Sequence, residues 1–382
     1  MTVARTYLDH NATSPMRPEV REQMLRALEC SGNPSSVHTE GRAARALVEE
    51  AREKVAALVD ASANEIIFTS GATEANNMVF SAPWTQAIVT AVEHDSVLSP
   101  VEQADFDVKK ISVAITGVVS TDELFAEIDH SRHVQNCPSA VCLSLQMANS
   151  ETGIMQPVDR LADSAKERGL FVHSDAVQAA GKVPLSFRDL GVDALSLSAH
   201  KFGGPKGIGA LVLKTGAKIP SLLKGGSQEN RKRAGTENIA AIAGFGCAAE
   251  CARAELDRQS EIPNLRDALE LKLVDRTSES RIIGAGQNRL PNTSCLAYPG
   301  KVAETLVIAL DLAGFAVSAG SACSSGKIGR SHVLEAMNVS PELADSAIRV
   351  SMGWNTTPAE IDKFVTAWEQ IVFRDKNGRR AA

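Results

Sequence analysis

Two side chains in this sequence have a type and a setting that suit covalent chemistry, one an amine and the other a thiol. Lys201 follows an apolar stretch at residues 194–198 and precedes a glycine-rich turn. We therefore expect its amine to project into a partly dry site at the end of a buried strand, where an amine can form a Schiff base. From this segment alone, an ordinary surface lysine is the alternative.

The thiol belongs to Cys323, which lies in a run of Gly, Ser and Ala over residues 318–326. These residue types bury too little apolar surface to order a segment, so we expect an exposed cysteine on a mobile loop. Such a thiol can reach a fixed reactive centre, and Lys201 is the candidate for that centre. The alternative from the loop alone is a solvent-exposed thiol without a function.

Other polar residues that suit a binding site also follow apolar stretches. His94 and Asp175 each come directly after such a stretch, and residues 70–77 begin with a glycine turn after another. Ligands of open α/β sheets bind beyond the carboxyl ends of the strands. We therefore expect these groups to contribute to one site.

Each of these groups has a chemical and a structural interpretation. The predicted helix start at 70–77 suits a phosphate, or Ser70 or Thr73 simply caps the helix. The Asp175 carboxylate suits a protonated pyridine nitrogen, or it caps the next helix. The His94 imidazole suits stacking on a planar cofactor and proton exchange near neutral pH, although a lone histidine is more often structural.

The elements that must position these groups alternate between helix and strand. Apolar spacing predicts helices over 39–59, 158–168 and 240–256. The predicted strands are residues 65–69, 87–92, 110–113, 140–145, 170–173, 194–198 and 210–213. This alternation predicts a mostly parallel sheet covered by helices. After Pro263 a helical pattern restarts at 265–276, and we interpret this region as the connection to a smaller C-terminal α+β domain.

Composition and charge argue against several classes of protein. The 382 residues are 44% hydrophobic, which is enough to bury a large core. A net charge of -6 gives no electrostatic footprint for nucleic acid. The 7 cysteines include no Cys-x-x-Cys pair, which disfavours a disulfide framework or a structural zinc site. Without a signal-peptide core or a long apolar run, we expect a cytoplasmic protein with no membrane or nucleic-acid partner.

The order and spacing of the motifs together resemble one family. The motifs are residues 7–13, 32–36, 70–74, 93–94, 174–178, 198–201, 233–238 and 320–323. Through nearly its whole length the sequence closely resembles the cysteine desulfurases of the NifS/IscS type. These are pyridoxal-phosphate enzymes of fold type I in the class V aminotransferase group. The resemblance implies an α/β fold, with a large domain on a mostly parallel seven-stranded sheet flanked by helices and a smaller α+β domain.

The resemblance also implies a division of the chain and a reaction. Residues 14–258 would form the large cofactor-binding domain, and residues 1–13 and 259–382 the small domain with the mobile loop of Cys323. The implied activity removes sulfur from L-cysteine, which gives L-alanine and a persulfide on Cys323. The implied protein is a homodimer that passes the sulfur to an acceptor protein, such as a scaffold for iron–sulfur cluster assembly.

By the same resemblance, the motifs supply the residues of the site. Lys201 would hold pyridoxal phosphate covalently and then act as a general base, while Cys323 attacks the substrate sulfur. His94 would stack on the cofactor ring and exchange protons. Arg349 would bind the substrate carboxylate with help from Asn33. The other implied cofactor-binding residues are Ala72, Thr73, Ser150, Asp175 at the ring nitrogen, Gln178 at the phenolic oxygen, Ser198, His200 and, from the neighbouring subunit, Thr236.

Three segments depart from the usual family pattern. Ser150 stands where the family commonly has a second consecutive Asn that hydrogen-bonds the cofactor. Residues 225–230 differ as well, and so do residues 327–330, where recognition of the sulfur acceptor is expected. Three destinations of the sulfur stay open: iron–sulfur assembly, nitrogenase maturation and tRNA thiolation.

Two other classes of protein stay open. One is a different pyridoxal-phosphate enzyme of the same fold, such as a selenocysteine lyase or a small aminotransferase, which would use Lys201 without requiring Cys323. The other is a scaffold that kept the fold and lost its chemistry. The joint presence of Lys201, Asp175, His94 and Arg349 argues against this second class.

Overall fold

A computed structural model describes residues 5–134, 140–257, 261–320 and 330–378 of the chain. Within these ranges the strands are β1 (Thr6–Tyr7), β2 (Ile66–Thr69), β3 (Gln86–Thr90), β4 (Asp107–Ile111), β5 (Val141–Ser144), β6 (Phe171–Asp175), β7 (Ala194–Ser198), β8 (Gly209–Leu213), β9 (Arg281–Ile283), β10 (Thr293–Ala297), β11 (Phe315–Ala316), β12 (Ser318–Ala319) and β13 (Ala347–Ser351). The helices are α1 (Pro18–Leu28), α2 (Thr39–Leu58), α3 (Ala72–Phe80), α4 (Asp95–Glu102), α5 (Thr121–Val134), α6 (Val158–Glu167), α7 (Ile239–Asp257), α8 (Ile262–Arg276), α9 (Ala303–Leu312), α10 (His332–Ala336), α11 (Pro341–Ala344) and α12 (Pro358–Gly378).

A seven-stranded sheet positions most of the predicted site residues. Its strands lie in the order β2-β8-β7-β6-β5-β3-β4. Strand β8 is antiparallel to both of its neighbours, and all other pairs are parallel. The predicted mostly parallel seven-stranded sheet is therefore confirmed. Its strands read as apolar runs because all of β3, β5, β7 and β8 is buried under helices.

Helices cover both faces of this sheet, and alternate residues of a strand pack against different helices. In β2, Phe68 packs with Phe245 of α7, while its neighbour Ile67 packs with Met78 of α3. The predicted helices at 39–59, 158–168, 240–256 and 265–276 are confirmed as α2, α6, α7 and α8. In the described part of the chain, no helix is both long enough and apolar enough to pass through a membrane.

A second core lies in the C-terminal region and includes the N-terminal segment. A four-stranded sheet in the order β12-β13-β10-β9 forms there, and β1 pairs in parallel with β11. Leu8 belongs to the same apolar cluster as Leu269 of α8 and Phe364 and Trp368 of α12. These contacts support the predicted grouping of the N-terminal segment with the C-terminal region, and the domain boundaries stay a prediction.

Candidate active site

The carboxyl ends of the parallel strands open onto a cavity of about 460 Å³. Its wall includes Thr73 after β2, His94 after β3, Asp175 at the end of β6 and Lys201 after β7. Predicted positions that lie far apart in the sequence therefore meet in one place. The volume lies within the range that is typical of small-molecule sites.

The N-terminus of α3 forms part of this wall. Gly71 is the N-cap residue, and no side chain caps the helix, so the predicted alternative of a Ser70 or Thr73 cap is wrong. Instead, the Ser70 backbone N–H donates to Glu74 Oε2 at 2.7 Å. The first-turn N–H groups of a helix have no partner within the helix. Since Gly71, Ala72 and Thr73 line the cavity, this helix end suits an anion.

Asp175 presents a fixed carboxylate to the cavity. It is only 8% exposed, and its Oδ1 accepts the Val177 N–H at 3.0 Å. Its Oδ2 accepts from Asn76 Nδ2 at 2.9 Å. A turn follows Asp175 rather than a helix, so the alternative role as a helix cap is wrong. Each carboxylate oxygen has two lone pairs, and the group can therefore accept a further hydrogen bond from a ligand in the cavity.

His94 caps α4 and lines the cavity at the same time. Its Nδ1 accepts the Ser96 backbone N–H at 3.0 Å and lies 2.8 Å from the Ser96 Oγ. Because Nδ1 is an acceptor in this cap, the proton of the neutral ring is on Nε2. His94 therefore has a structural role as the N-cap of α4, and its fixed ring also lines the cavity.

Lys201 ends a 3₁₀ turn that follows β7. Its Nζ donates to two backbone carbonyl oxygens, that of Asn11 at 2.7 Å and that of Ala12 at 3.1 Å. The residue is half-buried and lines the main cavity together with a second, smaller cavity of about 60 Å³. These contacts do not support the alternative of an ordinary surface lysine.

His200 lies among cations in the same wall. Its Nδ1 is 3.2 Å from the Thr13 Oγ1. Burial, followed by the charges of Lys201, Lys206 and Lys182, lowers the pKa of His200 to about 4, so its ring is neutral near pH 7. Lys206 also lines the cavity. A concentration of positive charge in one wall favours an anionic ligand.

Comparison with known proteins agrees with this geometry. The sequence profile of the class V aminotransferases matches residues 6–364. The chain belongs to the class V aminotransferase family. It is 42% identical to a cysteine desulfurase IscS of Dictyoglomus turgidum, over 96% of this chain and 94% of that protein. It is also 42% identical to a cysteine desulfurase of Cereibacter sphaeroides, over 96% of each chain.

Solved structures show the same family relationship. A NifS-like protein from Rickettsia africae matches this class V aminotransferase with a TM-score of 0.88 and 33% identity, over 96% of this chain and 99% of that one. Another NifS-like protein matches with a TM-score of 0.87 and 35% identity, over 96% and 99% of the two chains. The predicted resemblance to NifS/IscS-type proteins and the predicted fold class are therefore confirmed.

Most predicted cofactor-binding residues of this class V aminotransferase line the main cavity. Besides the residues above, they include Ser150, Gln178 and Ser198. Gln178 is 6% exposed, and its Nε2 donates to the Asn11 carbonyl oxygen at 3.0 Å. The structure thus brings these side chains together, and their individual roles stay predictions.

Three predicted residues do not line this cavity in the described structure. Thr236 is exposed. Asn33 is also exposed, and its Oδ1 accepts the Ser35 backbone N–H at 2.9 Å. Arg349 is 1% exposed and donates to Asp9 Oδ1 at 2.8 Å and to the Ser150 carbonyl oxygen at 3.2 Å. Since Asp9 already holds this guanidinium, a substrate carboxylate would have to share Arg349 with Asp9.

Cys323 lies outside the described residues. The chain positions on either side of that gap, Gly320 and Arg330, both line the main cavity, and so does the next residue, Ser331. Ser331 donates its hydroxyl to Glu151 Oε2 at 2.6 Å. The segment that carries Cys323 is therefore connected at both ends to the cavity wall.

Two buried carboxyl groups in the wall of this class V aminotransferase have no predicted role. Burial raises the pKa of Glu93 to about 8, and its Oε1 accepts the Gln146 backbone N–H at 2.7 Å. Burial also raises the pKa of Glu151 to about 7. Glu93 belongs to the motif at residues 93–94, and Glu151 follows the predicted residue Ser150; these positions are the signal for them in the sequence. A glutamate after a strand or in a turn is normally solvated, and the burial of these two depends on the folded chain.

Proposed function

We propose that this class V aminotransferase is a cysteine desulfurase that uses pyridoxal phosphate. The observation that carries the proposal is the meeting of Lys201, Asp175 and His94 with the N-terminus of α3 in one cavity. Relatives that are 42% identical over nearly the whole chain are named cysteine desulfurase, which supports the same activity here.

The phosphate end of the cofactor fits the cationic part of the wall. The first-turn N–H groups at Ala72 and Thr73 have no side-chain cap and would donate to the phosphate oxygens. Ser198 and His200 line the same wall and add a hydroxyl and a ring N–H. We propose that Thr236 of the partner subunit completes this set, which makes the functional protein a homodimer.

The ring of the cofactor fits the remaining groups. Asp175 would accept the hydrogen bond of the protonated ring nitrogen, since each of its oxygens keeps a lone pair. His94 would stack on the ring, because its cap fixes the ring plane at the cavity. Gln178 would contact the phenolic oxygen, Ser150 would lie beside the cofactor, and Lys201 would bind it covalently.

When bound, pyridoxal phosphate supplies an electron sink for the bond changes at the substrate. The residues of the chain supply the proton transfers and the nucleophile. Lys201 removes the proton from the substrate Cα as a general base. Arg349, with Asn33, binds the substrate carboxylate, and His94 exchanges a proton with the substrate thiol. The Cys323 thiolate forms an S–S bond as the C–S bond of the substrate breaks, which leaves L-alanine as the second product.

The sulfur on Cys323 is then transferred to an acceptor protein. We propose a scaffold for iron–sulfur cluster assembly as the acceptor class, because the relative from Dictyoglomus turgidum carries the name IscS. Transfer requires that the same thiol reach both the cavity and the surface. A cytoplasmic location is proposed with this function.

Reductive trapping tests the cofactor part of the proposal. The purified protein is loaded with pyridoxal phosphate, reduced with borohydride and mapped by peptide mass spectrometry. We expect the cofactor mass on Lys201 and on no other lysine. With a dithiol added as the reductant of the persulfide, the protein that has not been treated with borohydride should also convert L-cysteine to alanine and sulfide. A protein that acquires no visible absorbance, or that carries the label on Lys206 instead, would contradict the proposal.

A further inference from the structure

Asn76 is a buried polar residue of α3 to which the proposed function gives no role. Its side chain is 0% exposed and, in the described structure, lies behind the wall of the main cavity. Its Nδ2 donates to Asp175 Oδ2 at 2.9 Å and to Ser96 Oγ at 2.9 Å. The amide of Asn76 therefore joins two elements of the cavity wall, the end of β6 and the first turn of α4.

The partners of Asn76 fix the orientation of its amide. An ionised carboxylate only accepts hydrogen bonds, so the amide nitrogen of Asn76 must face Asp175. The opposite orientation would place Asn76 Oδ1 against the carboxylate oxygen of Asp175. In the orientation found, this Oδ1 is buried and has no hydrogen-bond partner among the described residues. Both N–H donors of the amide are thus used for Asp175 and Ser96, while its oxygen stays unsatisfied.

The same hydrogen bonds extend to His94. Because Ser96 Oγ accepts from Asn76, the proton of the Ser96 hydroxyl is available for another acceptor. His94 Nδ1 lies 2.8 Å from this hydroxyl and already accepts the Ser96 backbone N–H at 3.0 Å. Since Nδ1 is an acceptor, it also takes the hydroxyl proton as a hydrogen bond. A continuous chain of hydrogen bonds therefore runs from Asp175 through Asn76 and Ser96 to His94.

Helix α3 connects this chain of hydrogen bonds to the part of the wall that suits an anion. Ala72 lies in the first turn of α3 and lines the cavity, and Asn76 follows it by about one helical turn. Further along the helix, Met78 packs in one buried apolar cluster with Val97 of α4. The packing of α3 against α4 thus holds Asn76 in place beside Ser96.

We propose that Asn76 is a positioning residue that fixes Asp175 and His94 relative to each other before the cofactor binds. The inference rests on the proposed function, in which Asp175 contacts the edge of the cofactor ring and His94 contacts its face. A flat ring can make both contacts only if the carboxylate and the imidazole keep a definite distance and angle. Supporting hydrogen bonds hold such groups to within about 0.5 Å of the productive geometry. Asn76 supplies this support to both groups from behind the wall.

The first test is Asn76→Leu, which keeps the branched shape of asparagine and removes both N–H donors. We expect it to weaken binding of pyridoxal phosphate to the cofactor-free protein about tenfold, because the lost hydrogen bonds include one to a charged group. At equal occupancy, the bound cofactor should also lose most of its visible circular dichroism, a signal that depends on a fixed orientation of the ring. Asn76→Ala removes the same donors and replaces Asn76→Leu if that variant does not fold.

The matched control is Asn77→Leu, the same substitution at the next residue of α3. Asn77 is half-buried, and its Nδ2 donates to the Thr73 carbonyl oxygen at 2.8 Å. We expect this variant to keep the dissociation constant and the circular dichroism of the wild type. An equal loss in Asn77→Leu and Asn76→Leu would assign the effect to α3 as a whole and overturn the proposal.

Ser96→Ala tests whether the hydrogen bonds act as one chain. This variant removes the hydroxyl between Asn76 and His94 and leaves the backbone cap of His94 intact. Alone, it should weaken cofactor binding about fivefold, the usual effect of one neutral hydrogen bond. Combined with Asn76→Leu, the weakening should stay near tenfold, because the chain is already broken. A weakening of about fiftyfold, the product of the single effects, would show two independent contacts and overturn the proposal.

The outcomes also separate this inference from the proposed function. If the wild type forms no visible band that borohydride fixes on Lys201, the proposed function fails. If the wild type has that band and Asn76→Leu keeps the affinity and the circular dichroism of the wild type, only the role of Asn76 is overturned. Weaker binding by Asn76→Leu with unchanged circular dichroism would assign the effect to general packing and would overturn that role as well.

Discussion

The two walls of the main cavity are built in different ways. The first wall contains Lys201, Asp175 and His94, which lie near the strand ends of one sheet. Each of them is fixed by hydrogen bonds to neighbouring backbone or side-chain groups. The second wall consists of Gly320 and residues 330–333, on both sides of the segment that carries Cys323. The comparison indicates that the groups proposed to bind the cofactor belong to a rigid sheet, while the thiol proposed to accept sulfur belongs to a separate segment of the chain.

Between the described residues of the two walls there are few hydrogen bonds. Ser331 donates to Glu151, and the ring Nε2 of His332 lies 3.1 Å from the Glu93 carbonyl oxygen. Variants in the first wall should therefore affect the cofactor, and variants in the second wall should affect sulfur transfer alone.

The largest effect is expected for Lys201→Ala in the first wall. Loss of the amine would remove both the proposed covalent link to the cofactor and the proposed general base, and the general base alone is worth a factor of about 10²–10⁴ in rate. We expect no detectable sulfide release from L-cysteine and no absorbance from a lysine-linked cofactor. Lys206→Ala in the same wall is the control, and it should retain that absorbance. Normal turnover by Lys201→Ala would remove Lys201 from the mechanism.

The next largest effect is expected for Cys323→Ala, which tests the second wall. In an assay with a dithiol reductant, the variant should lose sulfide release by a factor of about 10³ or more, because it lacks the proposed nucleophile. Its visible absorbance should match that of the wild type, since the first wall is unchanged. Cys30→Ala serves as the control at a half-buried cysteine outside the cavity. Unaffected turnover by Cys323→Ala would favour a lyase that does not form a persulfide.

A smaller effect is expected for Glu93→Gln and concerns stability. Burial raises the pKa of Glu93 from 4.5 to about 8. Between these pH values the folded chain keeps a proton that the unfolded chain has lost, so this group lowers the free energy of unfolding as the pH rises from 5 to 8. Gln at this position removes the dependence. Urea unfolding at pH 5 and pH 8 should therefore show that the free energy of unfolding of Glu93→Gln, relative to that of the wild type, rises by about 3–4 kcal/mol between the two pH values.

The matched control for this experiment is Glu40→Gln, at an exposed glutamate in the first turn of α2. Its free energy of unfolding should follow the wild type at both pH values. If the free energy of unfolding changes by the same amount between the two pH values in the wild type and in Glu93→Gln, the Glu93 carboxyl is already ionised in the folded protein and the prediction is wrong.

The smallest effect is expected for Ser150→Asn, which restores the residue that the family commonly has. Ser150 lines the cavity and uses its backbone carbonyl oxygen to accept from Asn11 Nδ2 at 3.1 Å. A longer amide there would add one hydrogen bond to the cofactor, worth about 1 kcal/mol, or about fivefold in its dissociation constant. Equilibrium titration of the cofactor-free protein measures this constant. Ser150→Ala should leave it unchanged, and weaker binding by Ser150→Asn would contradict the prediction.

The sheet and the first wall could be predicted because their signals are local. Apart from the edge strand β4, whose residues 107–111 are mostly charged, the strands of the seven-stranded sheet are short, largely apolar runs. Asp175 ends one of these runs, and His94 and Lys201 lie within four residues after two others. The positions of Lys182, Glu93 and Glu151 could not be predicted, because their environment comes from distant segments. Lys182, for example, acquires its partner Asn11 only when the N-terminal segment folds against it. Burial of a charged side chain by distant residues leaves no periodic pattern in a sequence.

The N-caps of α3 and α4 could not be predicted from residue type either, although their hydrogen bonds are local. Ser70 and Thr73 both precede or begin α3 and have the residue types of N-caps, yet Gly71 occupies that position and no side chain caps the helix. Residue type alone does not specify which hydrogen bond a hydroxyl makes. His94 has the opposite outcome, since a residue that is rarely a cap accepts from the Ser96 N–H and thereby acquires a fixed ring.

The central claim is that an amine in the first wall and a thiol from the second segment act on the same substrate. Its most direct test is to incubate the cofactor-loaded protein with L-cysteine, without reductant, and to measure intact mass and map the peptides. We predict one added sulfur atom on Cys323 and an equal amount of L-alanine. Alanine formation with no added sulfur on Cys323, or with the sulfur on another cysteine, would contradict the account.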